Sequence, residues 1–82
     1  MMMTHVEIDQ AGDPVLPAEA AAALLGCALA AFLADLRSGH VYSVVERGEG
    51  ADAGRLRLTL RRRGREARLE VDAATGAILT GP

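Results

Sequence analysis

Eighty-two residues, half of them hydrophobic but with only one Phe, one Tyr and no Trp, predict a single domain (residues 1–82) with a small core of little bulk. A net charge of −2 argues against a large phosphate-binding footprint, and the single cysteine, Cys27, excludes an internal disulfide. The uncharged stretch at residues 20–34 is alanine-rich and interrupted by Gly26, and it falls short of the ~20 apolar residues a membrane span needs.

The charges are unevenly spread. Residues 1–54 carry Arg37 and Arg47 against eight acids, whereas residues 55–68 carry seven arginines against Glu66 alone. A basic segment therefore sits on an acidic remainder, and mutual neutralisation within one fold is the ordinary reading. Every basic residue is arginine, which with the abundant Ala and Gly suggests a GC-rich bacterial genome. The opening MMMTHVEIDQ has neither a basic nor an apolar leader region, so the chain reads as soluble and cytoplasmic, with no membrane segment.

In chain order, residues 6–9 alternate apolar and charged side chains as a short strand does. Turn chemistry follows at Ala11-Gly12-Asp13-Pro14, and Val15-Leu16 returns as a second strand. Pro17 suits the first position of a helix through Ala18 and Glu19 to about Leu25, with Gly26 as its stop. A second helix runs from about Ala28 to Arg37 and ends at Gly39. Leu25, Leu29, Phe32, Leu33 and Leu36 fall at helical spacing and form one apolar stripe. A single helix kinked at Gly26-Cys27 is the alternative to two. Residues 41–47 read as a strand, residues 48–54 as a flexible glycine-rich connection, and residues 77–79 as a short last strand after a turn at residues 73–76. The order β(β)ααβββ(β) defines an α+β fold with two short helices packed on a small antiparallel β-meander.

Residues 55–72 carry the clearest pattern. Leu56, Leu58 and Leu60 alternate with Arg55, Arg57, Thr59 and Arg61, and Ala67, Leu69 and Val71 alternate with Glu66, Arg68, Glu70 and Asp72. Closing a hairpin about Arg63-Gly64 sets Leu60 against Ala67, Leu58 against Leu69 and Leu56 against Val71. The same closure sets Arg61 against Glu66, Arg57 against Glu70 and Arg55 against Asp72. A slip of one residue places leucines opposite charges, so one register is specified. Exposed pairs of this kind contribute only ~0.2–1 kcal/mol each, so they select the register more than they hold the fold. Gly64 supplies the positive φ of the tight turn.

Two resemblances follow from these residues. The segment from Gly39-His40-Val41 through Val71-Asp72-Ala73-Ala74-Thr75-Gly76-Ala77-Ile78-Leu79 resembles the second half of a PepSY-type domain, which often closes with V-D-x-x-T-G-x-x-L. That resemblance implies a helix paired with a small antiparallel sheet, and protease-associated or binding roles. The whole chain more closely resembles a family of short bacterial domains of unknown function with the motif E-R-G-x-G-x-D-x-G-R-x-R-L-T. Its residues here are Glu46, Arg47, Gly48, Gly50, Asp52, Gly54, Arg55, Arg57, Leu58 and Thr59. This second resemblance implies a shared fold and brings no activity with it.

Two candidate sites result. The first is a contact surface on the hairpin, formed by Arg57, Arg61, Arg62, Arg63 and Arg65; the second is a loop site at Glu46, Arg47, Asp52 and Arg55, where glycines allow close backbone approach. The loop lacks the spacing of a Ca²⁺ loop and the G-K-[ST] of a phosphate loop. His5 and His40 have no ligand-spaced companions, and Cys27 lies in apolar surroundings as a small hydrophobe, so no metal, cofactor or catalytic residue is expected. The expected function is a small non-enzymatic binding or accessory domain that meets a protein partner or forms a homodimer. The less favoured alternative is a winged helix-turn-helix binding nucleic acid through the Arg61–Arg65 tip. Against that alternative, the second helix is expected to expose Ala28, Ala30, Ala31, Ala34 and Asp35, which offer no bidentate base contacts.

Overall fold

A computed structural model describes residues 3–80. Strands β1 (Glu7–Ile8) and β2 (Pro14–Val15) form a minimal hairpin, followed by helices α1 (Ala18–Leu25) and α2 (Leu29–Arg37). Strands β3 (Val41–Arg47), β4 (Arg55–Arg62), β5 (Arg65–Asp72) and β6 (Ile78–Thr80) then make a four-stranded antiparallel meander in the order β3-β4-β5-β6. The element order and the α+β class are those the sequence predicts.

The β4–β5 register is also the predicted one: Leu56 faces Val71, Leu58 faces Leu69, Leu60 faces Ala67, and Arg62 and Arg65 flank the two-residue turn. Both turn residues are left-handed, Arg63 at φ 46° and Gly64 at φ 80°, as a type I′ turn requires. The turn thus forces an arginine, and not only the glycine, into a conformation that L-residues disfavour.

One face of the meander is covered. Leu58, Leu60 and Ala67 pack with Ala21, Ala22 and Leu25 of α1 and Phe32 of α2. Leu56, Leu69 and Val71 pack instead beneath Val6 of the N-terminal segment. Small side chains on α1 and at Ala67 let helix and sheet approach closely, so alanine supplies proximity where bulk is lacking. Each buried Leu or Val here contributes about 1.5–3 kcal/mol relative to exposure.

The helices are separate, their axes crossing at 104°. Pro17 sits at the N-cap of α1, one position before the predicted one, and α1 stops at Gly26, where the Cys27 N–H returns to the Ala22 carbonyl at 3.0 Å. The predicted apolar stripe is only partly used: Leu25 and Phe32 are buried, but Leu29 and Leu36 remain 38% and 48% exposed, because the bend turns their side of α2 off the sheet. Among the described residues no single helix is long and apolar enough to cross a membrane.

The sheet's two edges differ. Beside β6, residues 4–6 run antiparallel to residues 76–78: Val6 donates to the Gly76 carbonyl and Ile78 to the Thr4 carbonyl, each at 2.9 Å. The β3 edge has no such neighbour among the described residues.

Candidate functional site

The predicted contact surface divides in two, because alternate residues of a strand face opposite sides. Arg57 and Arg61 point to the uncovered face of the sheet. There Glu70 bridges Arg57 (3.5 Å) and Arg55 (3.7 Å), while Glu66 bridges Arg61 (3.0 Å) and Arg68 (2.9 Å). The predicted Arg55–Asp72 register holds, yet no Arg55–Asp72 ion pair forms among the described residues. Asp72 instead accepts the backbone N–H groups of Ala74 (2.8 Å) and Thr75 (2.9 Å), a local turn that competes successfully for the carboxylate. The Thr75 and then the Ala74 N–H stabilise its charged form and hold its pKa below the usual value.

Arg62 and Arg63 turn the other way, onto α2. Arg63 grips Asp35 with two hydrogen bonds, Nε to Oδ2 at 2.9 Å and Nη2 to Oδ1 at 3.0 Å, and Nη2 also donates to His40 Nδ1 at 3.2 Å. Arg62 Nε lies 2.8 Å from Asp35 Oδ2, but its N–H is not aimed at the oxygen, so this is a charge contact without an aligned hydrogen bond. The hydrogen bond from Arg63 outweighs the opposing effect of burial, and with the two guanidinium charges it holds the Asp35 pKa below the ordinary carboxylate value.

Asp35 is therefore 7% exposed, not displayed on the helix surface as the sequence suggests, because the hairpin tip folds down over it. Its signal in the sequence is faint: it is the only acid in α2. Arg65 has no carboxylate partner among the described residues. Its Nη2 instead lies over the α1–α2 junction, 2.6 Å from where a Cβ on Gly26 would stand.

The loop residues do come together. Glu46, Arg47, Asp52 and Arg55 line an open basin of about 350 Å³ that also reaches Arg57 and Glu70. The connection is structured, with a 3-10 turn at Gly50–Asp52 and a Gly48 N–H bound to the Arg55 carbonyl at 3.0 Å. Gly48 is required because a Cβ there would overlap the Asp52 carbonyl. The motif glycine therefore serves the turn itself. The Arg47 guanidinium is held by the β1–β2 hairpin, pairing with Asp13 at 3.0 Å and donating to the Gly12 carbonyl at 3.3 Å. Glu46 has no ion-pair partner within 4 Å among the described residues. No group of three or more His, Cys, Asp or Glu side chains able to share a metal occurs among the described residues.

The feature that sequence reasoning did not place is the β3 edge. Residues 48 and 55 continue the β3–β4 register, and their hydrogen bond sets its phase. Since bonded pairs alternate along an antiparallel ladder, Tyr42, Val44 and Glu46 direct their backbone groups to β4. Val41, Ser43, Val45 and Arg47 direct theirs outward, where nothing among the described residues meets them. Tyr42 and Val44 are 55% and 46% exposed on the uncovered face beside this edge. On the covered face, a groove of about 320 Å³ runs along β3, lined by Phe32, Leu36, Val41, Ser43 and Leu58 among others.

Fold and surface together define a small α+β domain whose polar chemistry is arginine–carboxylate pairing around a sheet whose β3 edge is unpaired among the described residues. The chain belongs to a family of unknown function, DUF6522, whose match spans residues 3–81. No curated protein and no solved structure matches it.

Proposed function

We propose that this domain is a non-enzymatic contact module that takes up an extended segment of a protein partner as an added strand beside β3. The observation that carries this reading is the row of outward N–H and C=O groups on Val41, Ser43, Val45 and Arg47, in a seven-residue strand without proline, lysine or bulge. Natural sheets blunt such edges, and this sheet covers the start of β6 with residues 4–6 while no described residue covers the β3 edge. Backbone bonds supply affinity in strand addition, and alternate side chains supply selectivity. The hairpin tip is a weaker contact candidate than its charge suggests, since Arg62 and Arg63 already close on Asp35.

The test is a titration of isotope-labelled protein, kept dilute, with an extended heptapeptide of the β3 sequence and with the same peptide carrying a central proline. Amide resonances of Val41, Ser43, Val45 and Arg47 are expected to shift more than those of Tyr42, Val44 and Glu46, and only with the first peptide. Equal response along the strand, or none with this and a panel of other alternating heptapeptides, overturns strand addition.

A further inference from the structure

We infer that the partner at β3 is a second copy of this chain, its β3 running antiparallel to the first about a twofold axis at Val44. This rests on the strand-addition reading and names the occupant. In an antiparallel pair, residues directly opposite share a face, so only registers that match covered face to covered face are open. Of these, the register centred on Val44 overlaps the whole of Val41–Arg47 with its copy. It sets the four outward residues opposite one another, Val41 with Arg47 and Ser43 with Val45, which gives about eight backbone hydrogen bonds. Centring on Ser43 or Val45 leaves one strand end unmatched.

Charge supports the same register. On the uncovered face Glu46 meets Tyr42 of the other copy, and Val44 meets itself. Glu46 sits beside Arg57, and Tyr42 beside Arg61, in the β3–β4 ladder. The row across the interface then reads Arg57, Glu46, the other copy's Tyr42, the other copy's Arg61. A carboxylate without an ion pair among the described residues gains a hydroxyl donor and a second guanidinium nearby, and no like charges are set opposite one another. Three of the six large exposed hydrophobic residues among the described residues, Leu36, Tyr42 and Val44, lie on β3 or along the groove beside it. The second copy thus addresses the backbone edge, the uncompensated carboxylate and much of the exposed apolar surface at once.

The test combines solution mass with site-directed cross-linking, both in a Cys27→Ser background. The mass is expected to rise with concentration from 8.6 kDa toward twice that value. Val44→Cys is expected to form an interchain disulfide rapidly under mild oxidation, because directly opposed non-bonded residues lie about 4.5 Å apart at Cα, within disulfide range. Leu79→Cys, 43% exposed and on β6, is the control and is expected to cross-link slowly. Tyr42→Cys should cross-link with Glu46→Cys when the two variants are mixed, and neither with itself.

Val44→Lys places two like charges on the axis and is expected to leave a folded monomer. Ser43→Pro removes an outward N–H without costing a β4 bond and should do the same. A mass of 8.6 kDa at every concentration, or Val44→Cys cross-linking no faster than Leu79→Cys, overturns the inference. If the monomer then still binds the β3 heptapeptide, strand addition to other partners survives; if it does not, both readings fall.

Discussion

Replacing Gly76 by alanine tests the closure of the fold against an internal control. Gly76 is buried at φ 78°, and a Cβ there would overlap the backbone carbonyl oxygen of Val6. Gly54 has a similar φ of 88° with nothing within 4 Å of its would-be Cβ. Both substitutions incur the left-handed strain of an L-residue, about 1–2 kcal/mol. Only the Gly76 change must also displace residues 4–6. That displacement threatens the Val6-to-Gly76 and Ile78-to-Thr4 hydrogen bonds, each contributing about 0.5–1.5 kcal/mol. It also uncovers Val6, which is 5% exposed, at a cost of roughly 1.5–3 kcal/mol. Gly76→Ala is therefore expected to lose about 4 kcal/mol or more, against about 1–2 kcal/mol for Gly54→Ala, a large part of the ~5–15 kcal/mol that holds a typical domain. Urea denaturation followed by circular dichroism measures both. Hydrogen exchange at the Val6 and Ile78 amides shows whether the loss lies in the N-terminal segment. Equal losses within ~1 kcal/mol, with those amides still protected, would refute the packing of residues 4–6 against the β5–β6 turn.

Acid stability is the second prediction. Asp35 and Asp72 both have folded pKa values below the unfolded value near ~3.9, so between the two values the unfolded chain binds more protons. Their contribution is present above the unfolded pKa and is lost as pH falls through the lower folded values. Melting temperature should drop steeply below pH ~4 in the native protein and less steeply in Asp35→Asn with Asp72→Asn; an unchanged acid limb in the double variant would contradict the assignment. Third, because Asp35 and Glu66 occupy Arg61, Arg62 and Arg63, three of the four tip arginines, the protein should not retard a generic DNA duplex at ~50 mM salt. Asp35→Asn should introduce weak, salt-sensitive binding. Strong binding by the native protein that disappears when Arg61, Arg62 and Arg63 become Ser would restore the winged-helix reading. Fourth, truncation of the fully buried Leu56 to Ala should destabilise the domain by about 2–5 kcal/mol, whereas Val44→Ala, 46% exposed, should change monomer stability little; both are read by thermal melts.

The basin at Glu46, Arg47, Asp52 and Arg55 shows how local sequence and tertiary structure divide the site. Strand alternation and the glycine spacing bring these residues to one end of the sheet, and that much is legible. The destination of Arg47 is not, because Asp13 and the Gly12 carbonyl arrive from a hairpin more than thirty positions away. The loop itself reads as flexible only because a short 3-10 turn leaves no periodicity to see.

What the sequence determined alone is everything governed by period and turn chemistry: the helical stretches on either side of Gly26, the β4–β5 register and the tight turn at Arg63-Gly64, whereas only the structure separated those stretches into two helices. The register follows from alternation of apolar and charged side chains, the helical stretches from apolar recurrence every three to four residues, and the turns from glycine's access to positive φ. Only the tertiary structure decided the rest. Asp35 is buried because the hairpin tip descends on α2, Leu29 and Leu36 are exposed because α2 leaves α1 at 104°, and β3 ends the sheet with no strand beside it among the described residues. A strand's backbone groups point outward or inward according to its neighbours, and no pattern within Val41–Arg47 encodes which neighbours it will have.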